Sequence, residues 1–157
     1  MSAGAMNDDD GGHPRVLVSN RLSATTTTAI DESALAGLAR RTLTAEGHDL
    51  VELSLSFVDE AEMAELHVRY MQEAGPTDVL SFPLDDDDLD EHGVRMLGDV
   101  VVAPEVAARN NADDPGAELR LLVVHGVLHV LGYDHEEDDE RAEMWARQAR
   151  YSGVTVS

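Results

Sequence analysis

The chain has 157 residues, no cysteine and a formal net charge of −21, from 32 acidic and 11 basic side chains, and every basic one is arginine. That length suits one domain with a real core. The charge excludes the basic footprint of a general nucleic-acid binder, so any RNA contact must be local, and the missing thiols exclude disulfides and leave imidazole and carboxylate to hold a metal.

Residues 1–14 are rich in Gly, Asp and Ala without periodicity, which predicts a disordered leader ahead of a single domain over 15–152. Val16 and Val18 mark a first strand from Arg15 to Ser19, followed by a Thr-rich turn through Thr28. Asp31 is placed to N-cap a first helix with Leu35, Leu38, Thr42 and Leu43 on one face and Gly47 at its end. Val51, Leu53, Leu55 and Phe57 alternate with polar residues and predict a strand with one buried face. Asp59 and Glu62 have capping-box spacing and open a second helix, with Met63, Leu66 and Tyr70 inward and Gly75-Pro76 closing it. A strand over Asp78 to Leu84, a solvated acidic loop over Asp85 to Glu91, and a strand over Asp99 to Val102 follow. Pro104 fits the first turn of a short helix. From Ala117 to Leu131 nearly every residue is apolar, which predicts a central helix buried on all sides. A charged amphipathic helix runs from about Asp138 to Arg150, anchored by Met144 and Trp145.

No apolar run approaches the roughly 20 residues of a membrane span, and the N-terminus lacks the basic flank and apolar stretch of a signal peptide. The expected location is cytoplasmic, with no membrane partner.

Inside the buried helix, His125 and His129 stand four residues apart and so project from one face about one turn apart. Gly132 supplies a residue able to take positive φ, after which the chain can turn back and present His135 to the same point, completing HxxxHxxGxxH. Burying three imidazoles without partners costs about 1–3 kcal/mol for each unsatisfied group, and a shared ion removes that cost. Neutral imidazoles favour zinc, one per chain, and three protein ligands leave a fourth position for a water acidic enough to attack near neutral pH. The pattern therefore points to a hydrolase. It matches the metzincin spacing except after the first histidine, where Gly126 stands in place of the general-base glutamate, which argues against proteolysis. Asp134, beside His135, is placed to orient a ligand or accept a proton, or simply to cap a turn. His13, His48, His67 and His92 read as surface residues.

The segment from His125 to His135, HGVLHVLGYDH, resembles the signature of the YbeY family of bacterial rRNA-maturation endoribonucleases. Upstream, Pro76-Thr77-Asp78-Val79-Leu80-Ser81-Phe82-Pro83 and Leu97-Gly98-Asp99 resemble two further family segments, in the same order and spacing, so the likeness runs from about Val51 to Arg150. The resemblance implies an α+β domain with a small mixed β-sheet flanked by helices, and zinc held by His125, His129 and His135 at the end of the central helix. It implies cleavage of single-stranded RNA, with ribosomal RNA and small-subunit proteins as partners and no DNA. Its role would lie in 3′-end maturation of small-subunit rRNA and ribosome quality control. One departure is Tyr70-Met71-Gln72-Glu73, where the family usually carries an arginine and a lysine after the tyrosine. Arg69 is the candidate to supply the phosphate contact instead, since guanidinium suits bidentate phosphate binding. Ser81 and Thr77 are placed either to touch substrate or to serve turn and strand chemistry. Two other readings keep the metal: a different hydrolase such as a peptidase using Asp134, or a non-catalytic, zinc-stabilised ribosome-assembly factor.

Overall fold

The computed structural model describes residues 13–23, 30–71, 78–84, 89, 93–133 and 137–154. The expected leader, the Thr-rich turn, the Gly75-Pro76 stop and the acidic loop lie wholly or mostly outside these residues. In chain order the elements are β1 (Arg15–Asn20), α1 (Glu32–Ala45), β2 (Val51–Phe57), α2 (Glu60–Met71), β3 (Val79–Pro83), β4 (Arg95–Val102), α3 (Pro104–Asn110), α4 (Pro115–Val130) and α5 (Asp138–Ser152). The strands form a four-stranded sheet in the order β1-β2-β4-β3. β2 pairs in parallel with both β1 and β4, while β3 runs antiparallel to β4. The result is the expected α+β arrangement with a mixed sheet.

Alternation in β2 sets the main core. Val51, Leu53, Leu55 and Phe57 all face one side and are buried, packing with Val100 and Val102 of β4 against Leu35, Ala39 and Leu43 of α1 and Leu119, Val123 and Val127 of α4. A smaller cluster on the opposite face joins Met63 of α2, Leu80, Val101 and Val106. The Asp31 carboxylate accepts from the Ala34 N–H at 3.0 Å and starts α1 where the sequence places it. α4 touches α1, α3, α5, β3 and β4, which is why it is apolar all round. No described helix is long and apolar enough to cross a membrane.

Several boundaries differ from the sequence reading. β4 begins at Arg95 rather than Asp99, with a register shift opposite Glu52 and Leu53. Gly98 makes this possible: its φ is +142°, and a Cβ there would sit 2.3 Å from the Phe82 carbonyl oxygen. A glycine in mid-strand conceals the element from a period-two reading. α4 starts at Pro115, with the Asp114 carboxylate accepting from the Ala117 N–H at 3.1 Å. α5 continues to Ser152 and ends on Gly153 at φ +75°. At the start of α2, Glu62 does not close a capping box. It pairs with Arg21 at 2.7 Å, while the Asp59 carboxylate accepts from the Ser23 N–H at 3.0 Å, so both acids are drawn to the segment after β1. His13, His48 and His67 are half-buried rather than fully exposed, and His92 lies outside the described residues.

Candidate metal centre

The last two turns of α4 carry His125 and His129, both half-buried, with ring centroids 5.7 Å apart and planes at 80°. Two imidazoles bound at about 2.1 Å to one tetrahedral ion have centroids on the order of 5 Å apart, so the pair fits a shared ion. The Gln148 side chain of α5, only 3% exposed, places its Oε1 2.7 Å from Nδ1 of His125. An amide oxygen can only accept, so Nδ1–H donates, which is the tautomer in which Nε2 is the ring's acceptor nitrogen. The Trp145 ring packs edge-on against His125 at 6.1 Å.

α4 ends as the motif requires. Gly132 takes φ +109°, its N–H donates to the His129 carbonyl, and the Tyr133 N–H donates to the Leu128 carbonyl, both at 3.0 Å. The chain therefore reverses after His129. His135 and Asp134 lie outside the described residues, and among those described no group of three His, Cys, Asp or Glu side chains is arranged to hold a metal. The structure thus brings together two of the three expected ligands.

Gly126 explains the absent glutamate. It faces the sheet so closely that a Cβ would fall 2.5 Å from Val100 Cγ1, and its carbonyl accepts from the Ser81 hydroxyl at 3.2 Å. Ser81 therefore ties β3 to α4, the structural role the sequence allowed for it. Thr77 lies outside the described residues.

A cavity of about 220 Å³ opens beside His125, bounded by Asp78, Val79, Leu122, Trp145 and Gln148. Asp78 accepts from the Asn110 side chain at 2.9 Å. Glu118, two turns before His125 on α4, has its carboxyl pushed above the usual value by burial and by the Asp78 charge. Arg69 does not line this cavity; it is exposed on the last turn of α2, with Glu65 at 3.4 Å. A larger hollow of about 390 Å³ is bounded by Arg21, Leu66, Phe82 and Asp99.

Behind the site lies a group the sequence reading missed. Glu46, at the C-cap of α1, has a side chain only 5% exposed. Its carboxylate accepts from Tyr133 at 2.6 Å, from Arg147 at 2.7 Å and from the Tyr151 hydroxyl. The Arg147 guanidinium also lies over the Tyr133 ring at 5.1 Å. Burial pushes the Glu46 carboxyl up, but the hydrogen bonds from the two tyrosines and Arg147 outweigh it and hold it below its usual value. Tyr133 is pushed up to about 12 by burial and by that carboxylate. Gln148 was legible in principle, because Met144, Gln148 and Ser152 recur at four-residue spacing and all are buried on the inward face of α5. Glu46 gave no local signal, since its partners are 87 to 105 residues away.

The family model described as Endoribonuclease YbeY matches residues 20–153. Curated proteins of that name are similar to the chain. The one from Streptomyces coelicolor is 48% identical over 133 residues, covering 78% of this chain and 81% of its own length. The one from Thermobifida fusca is 52% identical over 129 residues, covering 75% and 81%. A solution structure of a Thermotoga maritima protein is similar in fold, with a TM-score of 0.55 and 30% identity, covering 87% of this chain and 86% of that one.

Proposed function

The chain belongs to the endoribonuclease YbeY family, and from that premise we propose that it is a zinc-dependent endoribonuclease. It cuts single-stranded RNA in the cytoplasm, in 3′-end maturation of small-subunit rRNA and in ribosome quality control. His125, His129 and His135 hold one zinc per chain. Zinc held there supplies Lewis-acid charge beside the scissile phosphate.

The observation that carries this reading is the 2.7 Å bond between Gln148 and His125, whose ring centroid lies 5.7 Å from that of His129 in a half-buried site. A buried acceptor that fixes one imidazole tautomer is the usual companion of a histidine ligand. Val79, Leu122 and Trp145 form low-dielectric walls in which an adjacent charge acts strongly on a phosphate. Peptidase chemistry is disfavoured by the position of Gly126, because no side chain fits between α4 and Val100. The net charge of −21 favours approach through basic small-subunit ribosomal proteins rather than through RNA phosphates directly.

The test is genetic and biochemical. Cells lacking the chain should accumulate small-subunit rRNA with extended 3′ ends; the parent chain should restore the mature end, and His129→Ala should not. Full restoration by His129→Ala would move the function to a non-catalytic assembly role.

A further inference from the structure

β4 carries an acid where a strand seldom has one. Asp99 stands in mid-strand between Ser54 of β2 and Phe82 of β3, is exposed, and has no hydrogen bond or ion pair to any other described residue. It belongs to neither apolar cluster of the sheet. Residues two apart in a strand point the same way, so Asp99 shares with Val101, Ser56 and Phe82 the face turned away from α4. With Leu66 of α2 and Arg21 after β1, these residues bound the hollow of about 390 Å³, within the range of about 300–1,000 Å³ usual for ligand sites. The Ser56 hydroxyl, in a residue only 8% exposed, has no partner among the described residues either. Arg21 is held to Glu62 through Nε at 3.0 Å and Nη2 at 2.7 Å, which leaves the two N–H groups of Nη1 without a partner among the described residues.

An occupant must offer donors to Asp99, acceptors to Arg21 and an apolar face to Leu66, Phe82 and Val101. A lysine or arginine side chain has donors only and would meet Arg21 as a second cation. A nucleobase carries donors and acceptors on one flat ring, and unstacked bases of single-stranded RNA are read by ring contact together with hydrogen bonds to their edges. Guanine alone among the four bases sets two donors side by side, N1–H and the N2 amino group, matching the two oxygens of a carboxylate, while its O6 and N7 accept. We propose that this hollow is a guanine-reading subsite for single-stranded RNA, in which Asp99 accepts from N1–H and the N2 amino group and Arg21 donates to O6 or N7. The inference deepens the endoribonuclease reading and rests on it. Reading a base rather than a phosphate also suits a chain of net charge −21. The edge strand β3 joins the two places: Val79 bounds the cavity beside His125, and Phe82, three residues and about 10 Å further along, bounds the hollow on the other face. A strand of RNA passing over that edge meets both, so the guanine lies a few nucleotides from the bond cut.

The experiment measures, by fluorescence anisotropy, binding of a labelled decauridylate and of the same oligomer with one central guanosine or one central inosine, which lacks the N2 amino group. The full chain is used as His129→Ala, which the reading above expects to leave RNA uncut, with and without Asp99→Asn. With Asp99 present, guanosine should tighten binding about 5- to 150-fold over uridine, with inosine between the two. Asp99→Asn should bring the guanosine oligomer to within about twofold of the uridine one. Loss of a negative charge raises affinity for all oligomers alike and a folding defect lowers it alike, so the ratio between oligomers is the readout. Equal affinity for guanosine and uridine, or a ratio that Asp99→Asn leaves unchanged, would overturn the proposal. So would an octa-arginine peptide that binds through Asp99 in a chain without guanine preference, since the hollow would then take a basic protein segment. Should Asp99→Asn not fold, the inosine comparison carries the test, and inosine bound as tightly as guanosine overturns the proposal. RNA cut by the parent but bound without guanine preference removes this inference alone; RNA neither cut by the parent nor bound by any of these chains removes the endoribonuclease reading with it.

Discussion

Gln148 Oε1 lies 2.7 Å from Nδ1 of His125, joining the buried face of α5 to the histidine-bearing face of α4. In the proposed zinc centre this contact orients the ring from the nitrogen opposite the ligand atom. Gln148→Ala should therefore weaken zinc binding by about 10- to 100-fold in a folded protein, and Gln148→Glu, which keeps an acceptor, should retain most of it. Chelator competition reads both. Equal affinity in parent and Gln148→Ala would remove Gln148 from the site.

Gly126 sets how closely α4 approaches the sheet. Gly126→Ala places a methyl group 2.5 Å from Val100 Cγ1, so the helix or the strand must shift. Overpacking of this kind costs about 1–3 kcal/mol, of which alanine's better helix propensity returns at most about 1 kcal/mol. The expected outcome in urea unfolding is a net loss on the order of 1 kcal/mol, with His125 and His129 displaced and zinc binding weakened. A variant as stable as the parent would show that the close approach is not required.

Gly98 is the more severe case. A Cβ there meets backbone, the Phe82 carbonyl oxygen at 2.3 Å, and the φ of +142° is itself unfavourable for any other residue. Gly98→Ala should cost about 3 kcal/mol or more, or prevent soluble expression, because backbone cannot move aside as a side chain can. Wild-type stability would refute the bulge as described.

Two carboxylates give opposite pH dependences. The Glu46 carboxyl is held below its ordinary 4.5 in the folded state, so its stabilisation is complete above that pH and is lost as pH falls through the lowered value. Glu118 is raised above 4.5, first by burial and then by Asp78; its contribution is present below 4.5 and is lost as pH rises through the raised value. Relative to the parent, Glu46→Gln should therefore lose its disadvantage on acidification below pH 4.5. Glu118→Gln should gain on the parent as pH rises from about 4 to 7. Denaturant unfolding at several pH values checks both, and parallel curves for parent and variant would contradict the corresponding assignment.

Much of this was legible in the sequence, for reasons that are local. The β2 alternation, the Asp31 cap, the apolar α4 and the glycine after His129 are each readable within a few residues, and each stands where expected. The longer β4 was not, because the bulge at Gly98 depends on the Phe82 carbonyl of a neighbouring strand. The Glu62 capping box failed because a tertiary partner, Arg21, competed for the carboxylate. At the site, the histidine spacing anticipated that the His125 and His129 rings lie together, but Gln148 and Glu46 act across the fold and no short-range pattern points to what they touch.

The most direct test of the central claim is zinc content of the purified chain measured together with cleavage of a single-stranded RNA, for the parent and His129→Ala. The account predicts near-stoichiometric zinc and cleavage in the parent, and loss of both in the variant. Zinc retained in His129→Ala, or RNA cut equally well by a zinc-free parent, would contradict it.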